Sequence, residues 1–518
     1  MVSEHLAYRG AMASKWWTLL VVCMSIFMLL LDITIVNVAL PSIQNDLGSS
    51  FEDLQWVVDA YALALAALLL ASGSIADLLG RRRIFVAGLL LFVAASLLCG
   101  LAGSPTTLNV ARGLQGIGGA MMFATSLALI AQEFAPHERG TAFGIWGATT
   151  GFAVAVGPLV GGVLTDGLGW EWIFLVNVPI GLVTAAITVA RVPESERDPN
   201  SRIDWAGLVT FSAGLFCLVL ALIRGNDEGW TSAQILLLLA AAVALMVVFV
   251  AVELRRSQPM LDLHLFRKPA FTGAQIVAFT LHASMFSMFL YIVLYMQNVL
   301  GYSPLETGVR FLPISVLSFL AAPLAGKLAE RLPVRAFLGA GLLLVGIGLL
   351  LMSGIAPSDD WTTLLAGFLV AGVGIGFINP PLATAAIGVV EPRRAGAASG
   401  INSTFRQVGT AVGIAGLGAL LQSKVSNKLD VALSGERLPR GAADHIAEAV
   451  SSGGASAAAQ AVPPQARELV ASAARTAFID GLNEIFVVAA LVAFAGGVLA
   501  VLLVRRRDFV TFPAETAP

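Results

Sequence analysis

The sequence predicts an all-α polytopic membrane protein with about 14 transmembrane helices, arranged as two six-helix bundles plus an inserted two-helix hairpin. Three observations predict this class. The 518-residue chain is 57% hydrophobic and only 12% charged, with a mean hydropathy of +0.84, which is outside the range of soluble domains. Apolar runs of about twenty residues recur along the chain, each long enough to cross a hydrocarbon core of about 30 Å. The two halves of the chain also share motifs.

Polar interruptions divide the apolar sequence into successive predicted helices. Strands of a membrane barrel would be shorter and would alternate in polarity, so helices fit the pattern better. The first run is too long for the core of a signal peptide, and no small-residue cleavage pattern follows it, so we retain it as helix 1. The predicted helices cover residues 17–40, 54–76, 84–103, 107–131, 141–165, 172–190, 204–223, 232–252, 269–299, 306–327, 337–355, 362–388, 398–421 and 476–504.

Basic residues fall in every second loop. The opposite short loops hold almost none, with Arg224 as the main exception. Because Lys and Arg accumulate in cytoplasmic loops, this asymmetry predicts a multi-pass protein of the cell (plasma) inner membrane with both termini in the cytoplasm. The basic loops carry Arg81, Arg82, Arg83, Arg139, Arg191, Arg197, Arg202, Arg255, Arg256, Arg267, Lys268, Arg331, Arg335, Arg393, Arg394, Arg505, Arg506 and Arg507.

An internal repeat organises the chain. Residues 73–77 recur as 326–330, and residues 138–140 recur as 393–395, at an offset of about 255 residues. A repeat by translation along the chain predicts two similarly oriented bundles related by an axis along the membrane normal, with the substrate path between them. The predicted units are an N-terminal six-helix bundle at 17–190, an inserted transmembrane hairpin at 204–252, and a C-terminal six-helix bundle at 269–504.

The C-terminal unit includes a long external loop at about 422–475, rich in Ala, Ser and Gly. Its low complexity is typical of a disordered segment. Its apolar residues at helical spacing, and Pro463 and Pro464 before a helical pattern, instead favour a short helical hairpin over the external mouth. Both alternatives remain open.

Asp32 is the main candidate for function, because it places a carboxylate inside the apolar run of helix 1. A charge at membrane depth is costly and usually faces the protein interior or water. Asp32 is about 13 Å from the outer face of the membrane and Arg112 of helix 4 is about 8 Å from it, so the two residues lie at a similar depth. A buried guanidinium needs a partner, and either Asp32 or Asp59 of helix 2 can supply it. We expect these three residues to couple transport to protons; a carboxylate satisfied by neighbouring hydroxyls is the structural alternative.

Other chemistries find little support in the sequence. Cys23, Cys99 and Cys217 all lie in apolar runs without metal-ligand spacing, so we expect no metal site and no disulfide framework. No phosphate-binding Gly-Lys-Ser/Thr loop is present, and the five histidines form no nucleophile–base arrangement. The net charge of −2 indicates no nucleic-acid partner. The chain is therefore predicted to be no enzyme and to need no cofactor.

Several long motifs, in the same order, resemble the major facilitator superfamily, and more narrowly its fourteen-helix drug:proton antiporters of the EmrB/QacA type. They are residues 31–41, 73–83, 147–162, 172–179 and 402–407. The resemblance implies that the loop after helix 2 is a conformational latch favouring the outward-facing state, formed by Gly73, Asp77, Gly80, Arg81, Arg82 and Arg139. The residues themselves place Asp77 to pair with Arg139 or to meet the N-terminus of a helix from the other bundle.

Helix 5 carries glycines about four residues apart, which permit close helix packing along one face, and a proline that permits bending. The resemblance implies that this pattern marks an antiporter. Its residues are Gly147, Gly151, Gly157, Pro158, Gly161 and Gly162. The predicted substrate cavity is lined by Asn37, Gln115, Tyr291, Tyr295, Gln297, Asn379 and Arg406. His282 of helix 9 is either a proton shuttle or a hydrogen-bonded residue of the bundle.

The leading hypothesis is a proton-coupled secondary active exporter of lipophilic small molecules such as drugs or antibiotics, with cationic compounds among the candidates. Some relatives carry an acidic residue in helix 10 that engages divalent cations, but residues 312–324 contain none. The partners of such an exporter would be a small-molecule substrate, protons and the lipid bilayer. A dedicated exporter of an endogenous metabolite, siderophore or lipid is the alternative on the same fold, and a membrane sensor or enzyme is a remote one.

Overall fold

The computed structural model describes residues 2–135, 138–195, 203–256, 259–329, 331–390, 395–433 and 467–505, and within these ranges all regular elements are helical. The helices of the first half are α1 Val2–Leu47, α2 Phe51–Leu79, α3 Arg81–Gly100, α4 Pro105–Glu133, α5 Arg139–Leu168, α6 Trp172–Leu175, α7 Asn177–Arg191, α8 Trp205–Glu228 and α9 Ala233–Glu253. Those of the second half are α10 Pro269–Leu281, α11 Ser287–Leu294, α12 Pro304–Leu328, α13 Val334–Leu351, α14 Leu365–Ile387, α15 Ala395–Leu433 and α16 Arg467–Leu503.

Thirteen stretches of the described chain are long and apolar enough to cross a membrane. The helix α5, at 30 residues, has the length to make a fourteenth. The predicted all-α membrane fold is therefore confirmed. The predicted helix 172–190 differs in detail, because it breaks at Val176 into α6 and α7. Pro179 lacks the amide that would bond to the Leu175 carbonyl, which accounts for a break at this place.

The predicted helix 269–299 is continuous but irregular. Two π-helical turns, His282–Phe286 and Tyr295–Val299, flank α11. Such turns are often found at functional sites because the extra residue changes the direction in which side chains point. Both turns here contain residues that the sequence analysis selected, His282 and Tyr295.

The external loop is shorter than expected. The helix α15 continues to Leu433, and α16 begins at Arg467, so both ends of the predicted 422–475 segment are helical. The choice between disorder and a helical hairpin falls on residues 434–466, which lie outside the described residues.

Most apolar side chains collect in separate clusters within the two halves of the chain. One large cluster draws mainly on residues between Phe249 and Val504, and two others draw mainly on residues between Leu19 and Val192. The helices α1–α7, here called the first group, meet the helices α10–α16, the second group, where α12 packs on α5 and where α15 packs on α2.

The hairpin of α8 and α9 packs against this junction through α8, which contacts both α2 and α15. Leu215 and Val219 of α8 cluster with Leu63 and Ala66 of α2. The helix α9 of the hairpin is largely exposed, with 17% of its span buried. The intimate contact of α8 with both groups was not expected from sequence.

Candidate functional site

Asp32 of α1 forms a buried ion pair with Arg112 of α4. The Arg112 Nη1 atom donates to Asp32 Oδ2 at 2.6 Å, and each residue is only 1% exposed. Removing either partner from such a site would leave an uncompensated charge in a medium of low dielectric constant. Loss of either charge alone is therefore expected to destabilise the folded protein.

Amide side chains satisfy the second oxygen of Asp32. Gln115 Nε2 donates to Asp32 Oδ1 at 2.9 Å, and Asn177 Nδ2 donates to the same atom at 3.1 Å. Both amides also reach the hydroxyl of Ser96, at 2.8 and 3.5 Å. Asp32 thus receives hydrogen bonds from α4 and α7, so its charge holds several helices of the first group together.

Aromatic rings and a backbone carbonyl enclose Arg112. Its Nε atom donates to the Val57 carbonyl at 2.8 Å, and its guanidinium lies 4.3 Å from the Tyr61 ring centroid and 5.7 Å from that of Phe174. Cation–π contacts of this kind stabilise a desolvated guanidinium. Asp59 is buried on α2, but the hydrogen bonds that Arg112 donates go to Asp32, Gln115 and Val57. The structure therefore assigns Arg112 to Asp32 rather than to Asp59.

Sequence reasoning missed two members of this network, Asn177 and Ser96. Asn177 belongs to the 172–179 motif, and an amide side chain within this apolar run could have identified it as a candidate. Ser96 carries no such signal. Gln115 was expected to line the substrate cavity, but it is fully buried in the Asp32 network.

Asp77, at the end of α2, contacts the first turn of α15. Its Oδ1 atom accepts from the Gly396 amide at 3.0 Å and its Oδ2 atom from the Ala397 amide at 2.9 Å. Arg81 also donates to Oδ1, at 3.0 Å through Nε and 2.9 Å through Nη2. A carboxylate at a helix N-terminus is favoured by the unpaired amides and the helix dipole. Of the two contacts predicted for Asp77, the structure has the one with the N-terminus of a helix from the other group.

The other predicted latch residues have different contacts. Arg139, at the start of α5, donates to the carbonyls of Phe134 and Ala131 at the end of α4, at 3.1 and 2.6 Å. Arg82 donates to the Val192 carbonyl at 3.0 Å. Gly80 joins α2 to α3 with φ of 109°, a conformation that favours glycine.

Glycines bring the two groups of helices together at the end that carries Arg81–Arg83 and Arg139, here called the basic end. A Cβ atom added to Gly73 would overlap the Gly396 carbonyl, and one added to Gly140 would overlap the Gly326 carbonyl. Gly73 and Gly326 occupy equivalent positions in the sequence repeat. The two groups are therefore in backbone contact at the basic end, on both sides of the junction.

The α5 glycines do not share one face, contrary to expectation. Gly147 lies beside Asn379 and Gly151 beside Ser318, both in the second group, whereas Gly157 and Gly161 face α1 at Thr34 and Ile35. Gly162 has open space around it. The side chain of Pro158 is outside the described residues. The helix thus contacts the second group through one half and α1 through the other.

The predicted cavity residues of the second group fall into two places. Tyr291 is buried and donates to the Ile414 carbonyl of α15 at 2.6 Å. Tyr295 is also buried, and Gln297 is partly exposed two residues further along. Asn379 and Arg406 are buried elsewhere, near α5. The side chain of Asn37 is outside the described residues.

His282 is buried, and its Nδ1 atom lies 2.9 Å from the Ala278 carbonyl. Its ring stacks on that of Phe286 with a centroid distance of 4.3 Å. These contacts correspond to the hydrogen-bonded alternative. Among the described residues, no group of three or more His, Cys, Asp or Glu side chains is placed to hold a metal ion.

The export hypothesis drawn from the sequence predicts that replacing Gly140 with valine reduces export at least tenfold, because the side chain has no room where α5 crosses α12. The measurement is the efflux rate of a transported drug, normalised to the amount of protein in the membrane. Gly162→Val is the matched control on the same helix, since nothing lies within 4 Å of its added Cβ. Normal efflux by Gly140→Val would show that this crossing is not required.

Comparisons with known proteins agree with this architecture. The family model described as Major Facilitator Superfamily matches residues 22–414. The multidrug resistance protein Stp of Mycobacterium tuberculosis is 38% identical over 414 residues, covering 80% of this chain and 77% of that protein. The tetracenomycin C resistance and export protein of Streptomyces glaucescens is 32% identical, covering 99% and 95%.

A third relative is the puromycin resistance protein pur8 of Streptomyces alboniger, at 38% identity over 80% of this chain and 83% of that protein. Among solved structures, the human organic anion transporter MFSD10 (TETRAN) superposes with a TM-score of 0.61, covering 94% of this chain and 99% of that one. At 14% sequence identity, this last similarity concerns the fold alone.

Proposed function

Because this chain belongs to the major facilitator superfamily and is a transporter rather than an enzyme, we propose that it exports lipophilic small molecules in exchange for protons. The observation that carries the proposal is the buried Asp32–Arg112 ion pair. A carboxylate that is buried on a membrane helix and accepts several hydrogen bonds is suited to carry a proton between two conformations.

In this mechanism a proton taken up by Asp32 neutralises its charge and weakens the hold of Asp32 on Arg112, Gln115 and Asn177. These contacts join α1 to α4 and α7, so protonation changes the relative stability of the helix arrangements. A ligand or proton shifts a conformational equilibrium only through such differential contacts. The substrate leaves while Asp32 is protonated. After the bundles move, Asp32 releases its proton on the other side of the membrane.

The moving bodies in this proposal are the units 17–190 and 269–504, with the hairpin 204–252 resting on their junction. Their separate apolar clusters support this division. We assign the basic end to the cytoplasm, because its loops hold most of the arginines. The contacts of Asp77 with α15 and the two glycine crossings then close the cytoplasmic face, as expected for an outward-facing state.

The test uses inside-out membrane vesicles with an acidic interior, monitored with a pH-sensitive dye. Puromycin is added as the first probe and tetracenomycin C as the second, since resistance to these compounds names two relatives. We expect the added compound to release protons from vesicles that contain the protein. Vesicles without the protein are the control. Accumulation of the compound without proton release, and unchanged by a protonophore, would contradict proton coupling.

A further inference from the structure

We propose that Arg406, together with Trp146 and Gln275, forms a binding site for an anionic group on the exported molecule, such as a carboxylate, sulfonate or phenolate. This inference rests on the proposed export function and names its substrate class. The hypothesis drawn from the sequence left the charge of the cargo open, with cationic compounds among the candidates.

Arg406 is a buried cation with no anion paired to it among the described residues. The residue is 4% exposed on α15, and its Nε atom donates to Asn402 Oδ1 at 3.1 Å. Its Nη2 atom is buried and has no hydrogen-bond partner among the described residues, and no carboxylate of that part of the chain forms an ion pair with it. A desolvated guanidinium is costly unless an anion compensates it. Arg112, also on a membrane helix, has such an anion in Asp32, whereas the described part of the chain supplies none to Arg406.

Two further buried donors belong to the same cluster, Trp146 through its ring and Gln275 through Asn402. The Trp146 ring centroid is 5.5 Å from the guanidinium carbon, and its Nε1 atom has no acceptor within the described residues. Gln275 accepts from Asn402 Nδ2 at 3.2 Å, while its own Nε2 atom also has no acceptor in that part of the chain. Unsatisfied buried donors are rare in native proteins and call for an explanation. Each of the three donor atoms, Arg406 Nη2, Trp146 Nε1 and Gln275 Nε2, lacks a hydrogen-bond acceptor in the described part of the chain. A ligand rich in acceptor oxygens would supply one.

The position of these donors suits a transported ligand. Trp146 is on α5, in the first group of helices, whereas Arg406 and Gln275 are on α15 and α10, in the second. An anion held by all three would therefore contact both moving bodies. Next to Trp146, Gly147 abuts Asn379 of α14, whose Oδ1 atom is another buried group without a partner in the described chain. A substrate hydroxyl adjoining the anionic group would supply the donor that this oxygen lacks.

Asp32 gives a cationic ligand no equivalent site. Both of its oxygens accept hydrogen bonds, and Arg112 neutralises its charge. On α15, which packs on α2, Arg406 carries a buried positive charge with no carboxylate paired to it among the described residues, which favours an anion by simple electrostatics.

The experiment measures equilibrium binding to the purified full-length protein in lipid nanodiscs at neutral pH. The probes are 2-naphthoate, its neutral methyl ester and the cation (2-naphthyl)methylammonium, which share one aromatic body. We expect wild type to bind the carboxylate at least tenfold more tightly than the ester and the cation. Arg406→Gln should remove this preference while leaving ester binding unchanged, and Arg406→Lys should retain part of it because the charge is kept. Trp146→Phe should weaken carboxylate binding about threefold.

Arg475→Gln is the matched control, since it removes one exposed arginine from the same group of helices and should leave the preference intact. Equal binding of the three probes by wild type, or no binding of the carboxylate, would overturn the proposal, as would a preference that survives in Arg406→Gln. Because no proton gradient is applied, failure here leaves proton-coupled export of puromycin to its own test. Conversely, a lack of proton coupling would not remove the anion preference.

Discussion

Asp32→Asn is expected to abolish proton-coupled export, since the amide can form hydrogen bonds but cannot take up and release a proton at this position. The structural cost is also large. An isolated Arg112 charge would remain at a buried position, and breaking a buried ion pair typically costs about 3–5 kcal/mol. Drug-dependent proton movement in inside-out vesicles is the direct measurement, and it should fall to the level of vesicles without the protein.

The double variant Asp32→Asn/Arg112→Gln separates loss of coupling from loss of stability. Removing both charges avoids the unpaired guanidinium, so thermal stability in detergent should recover relative to Asp32→Asn alone. Coupling should not recover, because no titratable group has been restored. Proton movement by either variant at the wild-type level would place the coupling site at another residue, and Asp59 would be examined next.

Asp77→Asn is expected to reduce export to background while the protein remains in the membrane. The carboxylate compensates the N-terminus of α15 through the Gly396 and Ala397 amides. A charge in such a partly buried position contributes up to about 2 kcal/mol, roughly thirtyfold in the equilibrium between two conformations. Loss of this contact should favour states in which the basic end is open.

Glu194→Gln is the matched control for Asp77→Asn. Glu194 also lies at the basic end, where its carboxylate is 3.7 Å from Arg82 and 3.6 Å from Arg83, but these arginines belong to its own group of helices. Efflux of the drug and the amount of protein in the membrane should be measured together. Full export by Asp77→Asn, or an equal loss in Glu194→Gln, would argue against a specific role for the contact with α15.

The sequence predicted the helices well because membrane helices are long and their apolar composition is a strong local signal. The predicted spans differ from the observed ones at helix ends, as in α1, α15 and α16, and at irregular places, such as the break at Val176 and the two π-helical turns. Those features depend on how backbone carbonyls find donors within the packed protein, which a hydropathy pattern does not record.

Candidate residues were predictable where a polar group interrupts an apolar run. Asp32, Arg112 and Arg406 were identified on this basis alone, since the energetic cost of burial makes each of them conspicuous. The choice between Asp32 and Asp59 as the partner of Arg112 required the tertiary structure. Depth along a helix restricts which residues are level with one another, but the rotation of each helix decides which side chains meet.

By itself, the sequence determined the membrane-spanning class, the internal repeat and the buried charges of Asp32, Arg112 and Arg406. Only the tertiary structure decided that Gln115 and Asn177 hold Asp32, that Asp77 meets α15, and that Arg406 has no carboxylate beside it in the described chain. The reason is physical. Hydrophobic burial depends on composition and period, which are local, whereas hydrogen bonds and ion pairs between helices need atoms within about 3 Å, which packing alone determines.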